Sequence, residues 1–182
     1  MLEIVKRAVQ VILGSLIFEV GPLRRARYWA YRRMFRMGQG NIIGHNVMIG
    51  RPHKPDGGPL DIGAHVRILS DVLLDYSGGV TLQDYVKISP GSKVYTHAHT
   101  VATRALKDTQ PILFSPLHVG RDAWIGGDVI VMGSVTRIGQ GAVIGAGSVL
   151  TKNVGDWEIW AGNPARKIGE RQEQIDVNEV NE

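Results

Sequence analysis

The chain has 182 residues, 43% of them hydrophobic and 21% charged, a balance that suits one folded domain and argues against disorder. It contains no cysteine, which excludes disulfides, thiolate metal sites and a cysteine nucleophile. The net charge of +4 sits largely at one end: within residues 1–38, Lys6, Arg7, Arg24, Arg25, Arg27, Arg32, Arg33 and Arg36 are opposed only by Glu3 and Glu19.

Residues 1–36 read as a helical arm, with Glu3, Arg7, Gln10 and Gly14 on one narrow polar stripe and a broad apolar face opposite. The apolar stretch from Ala8 to Val20 is broken by Gln10 and Glu19, short of the ~20 residues a spanning helix needs. No small-residue cleavage site follows it, which speaks against a secretory signal. Two readings of the arm remain. The preferred one packs it on the body, where it would cap an open end. The other lays its apolar face, clustered arginines and interleaved Tyr28, Trp29, Tyr31 and Phe35 on an anionic membrane as a peripheral contact. The charge would also suit nucleic acid, but no recognition motif accompanies it.

From Met37 onward an aliphatic residue recurs at every sixth position: Met37, Ile43, Ile49; Ile62, Ile68, Leu74; Leu82, Ile88, Val94; Val119, Ile125, Val131; Ile138, Ile144, Leu150. A period of six fits neither a 3.6-residue helix nor an alternating strand. It is the repeat of a parallel β-helix, one short strand and one corner per hexad. The expected body is therefore all-β, about five coils over residues 37–166, followed by an acidic tail at 167–182 without periodicity. The fifth residue of each hexad, including Val66, Val86, Ala98, Ala123 and Ser148, is small and should also face inward. Gly, Asn and Asp between the rungs suit corners with left-handed backbone angles.

Extra residues fall only between groups of three hexads, at 51–59, 78–79, 100–118 and Arg137, and so should project from a single corner. The longest, a protruding loop at 100–118, exceeds what a structureless connection normally reaches, which points to function. Just before it lie His97 and His99. With Ala98 inward, His99 faces out at the decorated edge, and an imidazole there suits a general base. The same pair has a spacing that can hold zinc, with His65 or His118 as a third ligand. Asp75, the nearest upstream carboxylate, could orient His99, touch an acceptor, or simply form a corner.

Several stretches carry a resemblance: Ser89-Pro90-Gly91-Ser92-Lys93-Val94-Tyr95-Thr96-His97-Ala98-His99, Asp122-Ala123-Trp124-Ile125-Gly126-Gly127, Ile144-Gly145-Ala146-Gly147-Ser148 with Thr151-Lys152, and Ala161-Gly162-Asn163-Pro164-Ala165-Arg166. In these the chain resembles the hexapeptide-repeat acyltransferases, specifically the group of galactoside, maltose and polysaccharide O-acetyltransferases. The resemblance implies a left-handed β-helix that forms homotrimers, with active sites in the clefts between prisms. Outward Ile130, Val143 and Val149 are consistent with such association. It further implies acetyl-CoA-dependent O-acetylation of a sugar hydroxyl, on a cell-surface polysaccharide or its precursor, with no metal. By the resemblance His99 is the base, and His97 has no secure counterpart. Trp124 would line the site; Gly127, Ala146, Thr151 and Lys152 would follow the pantetheine arm and adenine end of CoA; Arg166 would lie near the nucleotide phosphates. Plainer readings stand beside these: Trp124 as a trimer contact, Lys152 as a solvated turn charge, Gly127 and Ala146 as corner formers. The expected location is cytoplasmic, or at the inner face of the membrane.

With no cysteine and no Gly-x-Ser-x-Gly elbow, transfer would be direct, within a ternary complex. The rival functions are a zinc lyase similar to the γ-class carbonic anhydrases, using His97 and His99, and a non-catalytic trimeric scaffold.

Overall fold

Each hexad folds into a strand of two or three residues and a corner. A computed structural model describes residues 2–53, 57–101 and 104–173. The first coil comprises β1 (Arg36–Met37), β2 (Ile42–Ile43) and β3 (Met48–Gly50); the second, β4 (Leu60–Ile62), β5 (Arg67–Ile68) and β6 (Leu73–Asp75); the third, β7 (Val80–Leu82), β8 (Lys87–Ile88) and β9 (Lys93–Val94). A hairpin of β10 (His97–His99) and β11 (Ile112–Phe114) follows. The fourth coil is β12 (Leu117–Val119), β13 (Trp124–Ile125) and β14 (Ile130–Val131), and the fifth β15 (Arg137–Ile138), β16 (Val143–Ile144) and β17 (Val149–Leu150). The strands stack as three parallel sheets, ordered β1-β4-β7-β12-β15, β2-β5-β8-β13-β16 and β3-β6-β9-β14-β17.

The rungs of the sequence ladder are the rungs of the prism. Met37, Ile62, Leu82, Val119 and Ile138 lie one above another on the first face. Ile43, Ile68, Ile88, Ile125 and Ile144 do so on the second, and Ile49, Leu74, Val94, Val131 and Leu150 on the third. All are buried, and the small fifth-position residues fill the remaining interior. Ala98 is the exception: it is only partly buried, because β10 has already left the prism. The coil is a left-handed β-helix.

The corners explain where the insertions go. On two edges the residue three places past each rung is left-handed: Gly40, His65, Tyr85, Asp122 and Gly141 on one, Asn46, Asp71, Gly91, Asp128 and Gly147 on the other. Such angles close a tight turn, which is why Gly, Asn and Asp prevail there. His65 and Tyr85 are exceptions to that chemistry, and their rings stack on each other at 5.0 Å. On the third edge Pro52, Ser77, His97, Ser134 and Asn153 hold the equivalent place, and none has a positive φ. The chain is not locked into a tight turn on that edge, so segments can leave and return.

Three sequence expectations are corrected. The 100–118 segment is not a plain loop: β11 pairs antiparallel with β10, a 3₁₀ turn spans Lys107–Thr109, and β12 already belongs to the prism. Residues 102–103 lie outside the described residues. Arg137 is not an inserted residue but the first of β15, opposite His118 and paired with Asp156 at 2.6 Å; the extra length is taken up in the preceding turn. The tail does not begin at 167. β18 (Glu158–Gly162) joins the second sheet alongside β16 and folds back as β19 (Ala165–Glu170), placing Trp160 beside Ile144 at the far end. Residues 174–182 lie outside the described residues.

The arm packs on the prism. It consists of α1 (Leu2–Leu13), a 3₁₀ turn at Leu16–Glu19 and α2 (Gly21–Met34). α2 covers the open end: Arg27 is buried and donates to the carbonyls of Ile43 and Ser15, both at 3.0 Å, and to Glu19 Oε1 at 2.7 Å. α1 lies along β3, with Gln10 and Leu13 turned inward and Val9 packed against the core. Buried Gln10 donates to the Ile49 carbonyl at 2.9 Å and accepts from the Ile49 N–H at 2.8 Å, while the Gly14 carbonyl accepts from Asn46 N–H. The broad apolar face, with Ile4, Val5, Val11 and Ile12, points outward.

Gln10→Ala should therefore weaken arm docking. Two buried backbone groups of Ile49 lose their partner, a cost of about 1–3 kcal/mol. The expected signature is faster hydrogen exchange in α1 with protection of the prism strands unchanged; uniform loss of protection would contradict it.

Candidate active site

The site begins where β6 reaches the third edge. Asp75, the last residue of that strand, is buried and accepts hydrogen bonds from Ser77 N–H at 2.9 Å, Ser77 Oγ at 2.6 Å and Thr96 N–H at 3.1 Å. Its Oδ2 also lies 2.6 Å from His97 Nδ1. Burial pushes the Asp75 carboxyl up, but the hydrogen bonds from Ser77, His97 and Thr96 outweigh it and hold the group below the ordinary aspartate value. An ionised carboxylate in that position accepts a hydrogen bond from Nδ1–H, which in the neutral imidazole leaves Nε2 as the lone-pair nitrogen of His97. Because the folded value is depressed, this stabilisation is complete above the ordinary carboxylate range and is lost as pH falls through the folded value.

His99 is exposed, two residues along the same strand, its ring 5.5 Å from that of His97 at 82°. Asp75 thus orients His97 and not His99. A third imidazole joins them. His53, in the 51–59 insertion, has its ring centroid 4.3 Å from His97 and 5.4 Å from His99. The side-chain nitrogens that the three offer lie within 4.8 Å of one another, an arrangement able to hold a metal ion. The sequence reading missed His53, although a histidine within an insertion at the same edge was a usable signal. His65 and His118, named there as third ligands, lie elsewhere: His65 is stacked on Tyr85 and His118 is within β12, against Arg137.

A cleft of about 270 Å³ reaches His97 and Asp75. It lies between α1 and the third sheet, walled by Ile4, Arg7 and Gln10 on one side and Leu73, Tyr95 and His97 on the other.

No family model and no curated protein matches the chain. Solved structures do. An acetyltransferase from Vibrio cholerae O1 biovar eltor, described as hexapeptide-repeat containing and complexed with acetyl coenzyme A, superposes with a TM-score of 0.74 at 24% identity, over 92% of this chain and 87% of that one. The chain has the hexapeptide-repeat fold. A maltose O-acetyltransferase from Clostridium difficile 630 matches with a TM-score of 0.71 at 24% identity, covering 94% and 89% of the two chains. The Bacillus cereus N-acyltransferase AntD, complexed with dTDP and 3-hydroxybutyryl-CoA, matches with a TM-score of 0.66 at 24% identity over 79% and 76%.

On this hexapeptide-repeat prism the sequence-derived residues fall in separate places. His97, His99 and Asp75 lie on the third edge, and so do Thr151 and exposed Lys152, which follow β17 one coil beyond Ser134; the Ser134 hydroxyl donates to the Thr151 carbonyl at 3.0 Å. Trp124 stands on the second sheet, 45% exposed, with its Nε1 donating to Ser89 Oγ at 2.8 Å and the Lys87 ammonium 4.7 Å from its ring. It borders a different cleft, of about 580 Å³, with His65, Tyr85 and Arg171. Gly127 and exposed Ala146 occupy the edge after that sheet, and Arg166 lies in β19 opposite Ala161. One protomer does not bring the imidazoles and Trp124 together.

Proposed function

We propose that this chain is an acetyl-CoA-dependent O-acetyltransferase acting on a sugar hydroxyl, on a cell-surface polysaccharide or its precursor, and that it works as a homotrimer. The observation that carries the reading is the histidine pair at the decorated edge of a hexapeptide-repeat prism, of which His97 is backed by a buried carboxylate and lines a cleft. The solved neighbours include an acetyltransferase bound to acetyl coenzyme A and a maltose O-acetyltransferase, which supports donor and acceptor class alike. A cytoplasmic location fits a donor made in that compartment.

In the proposed reaction His99 takes the proton of the acceptor hydroxyl as its oxygen attacks the thioester carbonyl. The C–O bond forms, the tetrahedral intermediate collapses, the C–S bond breaks, and the CoA thiolate recovers the proton from the His99 imidazolium. Asp75 fixes His97 beside it, so one wall of the reacting centre cannot rotate. With no thiol on the chain, no acyl-enzyme through cysteine intervenes. Trp124, Gly127, Ala146 and Arg166 would belong to the CoA-binding wall of a neighbouring subunit, with Thr151 and Lys152 on the wall that carries the histidines. The separation of the two sets within one protomer supports the trimer.

The test is thiol release from acetyl-CoA across a panel of hydroxyl sugars and amino sugars. Release stimulated by a hydroxyl acceptor is expected; stimulation only by amino sugars would make the chain an N-acyltransferase, the class of AntD. No CoA binding at all by calorimetry would remove the transferase reading.

The three-histidine cluster favours a second reading, a zinc enzyme, since Asp75 would be the outer carboxylate that orients a ligating imidazole. The two readings differ in metal content. A transferase is expected to purify without stoichiometric zinc and to keep its turnover after chelation. One zinc per chain, lost in His53→Ala, would establish the metal site instead.

A further inference from the structure

We propose that the outer face of the N-terminal arm is a docking surface for an anionic phospholipid bilayer, and that the acceptor sugar is presented on a lipid carrier at that surface. The second half rests on the transferase reading above; the first does not.

The starting observation is that α1 buries little of its apolar surface. Gln10 and Gly14 bond to the prism and Leu13 and Val9 pack beside them, but Ile4, Val5, Val11 and Ile12 look away. Ile4 is 75% exposed, Val11 72% and Ile12 65%, and Leu16, Ile17 and Val20 in the turn and Trp29 on α2 are exposed as well. Isolated exposed apolar residues are ordinary; a run of them along one arm marks a surface that is covered.

Charge decides what covers it. Arg24, Arg25, Arg32 and Arg33 on α2 are exposed, with Arg33 lying 4.6 Å from the Trp29 ring. Between residues 4 and 34 the sole acidic residue is Glu19, and it is already engaged by Arg27 and His45. A second copy of the same face would set arginine against arginine. The occupant must be apolar and anionic at once, the chemistry of a bilayer rich in acidic headgroups. No helix among the described residues is long and apolar enough to cross a membrane, so the arm would lie in the plane of the interface.

Docking there has a consequence for the site. Ile4 and Arg7 of α1 wall the cleft that ends at His97, so an arm seated on the bilayer holds the mouth of that cleft at the lipid surface. A sugar attached to a membrane lipid would then reach the imidazoles without leaving the bilayer.

The experiment is co-sedimentation of the full chain with phosphatidylcholine vesicles, with and without phosphatidylglycerol. Binding to the acidic vesicles only, weakening as salt is raised, is expected. Arg24→Glu with Arg25→Glu, alone and combined with Ile12→Asp, should lower that binding on the order of tenfold or more. These side chains are exposed and outside the cleft, so thermal midpoint, mass by light scattering and thiol release with a water-soluble acceptor should not change. Failure of the wild-type chain to bind acidic vesicles overturns the proposal. So does a change of mass in the variants, which would mean that another copy covers the face. Absence of thiol release in the wild-type chain would instead overturn the transferase reading and leave the docking result standing. If both hold, acidic vesicles carrying a lipid-linked sugar should be acetylated faster by the wild-type chain than by the arginine variant; equal rates would remove the lipid-borne acceptor.

Discussion

His99→Ala is expected to reduce acceptor-stimulated thiol release by about 10²–10⁴, the usual contribution of a positioned base. CoA affinity should change little, because the loss falls on proton removal rather than on donor binding. The neighbouring positions give this measurement its discriminating power. His97→Ala removes the imidazole that Asp75 fixes, and Asp75→Asn keeps the shape but replaces an anionic acceptor 2.6 Å from Nδ1 with an amide. Both should slow turnover less than His99→Ala does. If His97→Ala proves the more damaging and Asp75→Asn follows it closely, the base is His97. The third edge would then carry an oriented Asp–His pair, with His99 as its neighbour.

Mixed trimers offer a second large effect. His99→Ala and Trp124→Ala chains should each be poorly active alone, the latter by tenfold or so if its indole supports the donor. Co-assembled in equal amounts they should regain activity. In the proposed cyclic trimer each cleft would take its histidine from one subunit and its tryptophan from the next, so about one cleft in four would be intact under random mixing. Mixed samples that stay at the level of the two parents would show that each site is complete within one chain. That outcome would require a rearrangement of the face carrying Trp124, which borders a cleft separate from the imidazoles.

The column itself was legible because burial imposes one rule on every hexad. Ile68, Ile88 and Ile125 each have to fill the same slot, and a repeated requirement leaves a repeated letter. The single decorated edge was legible for the complementary reason: additions clustered where the repeat broke. What was hidden depends on contacts between those additions. Asp75 reads as an ordinary corner residue until Thr96 and His97 come to rest against it, and that meeting is set by the path of β10 out of the prism. His53 was obscured in the same way, since no periodicity governs the 51–59 segment. The arm was half legible. A polar stripe opposite an apolar face does not say which side is inward, and the two hydrogen bonds between Gln10 and Ile49, with Leu13 buried beside them, decide it. The return of the chain as β19 was overlooked because an antiparallel strand at the end of the coil has no period to announce it.

The unlocked third edge has a wider implication. Pro52, Ser77, His97, Ser134 and Asn153 occupy a position that elsewhere demands left-handed geometry, and here it demands nothing. Excursions of any length can therefore be exchanged on that ridge without disturbing strand register beneath it. Grafting a different tip between Thr100 and Pro111, beyond the histidines of β10, should redirect acceptor preference while the column stays folded, making this ridge the natural place to engineer new specificity.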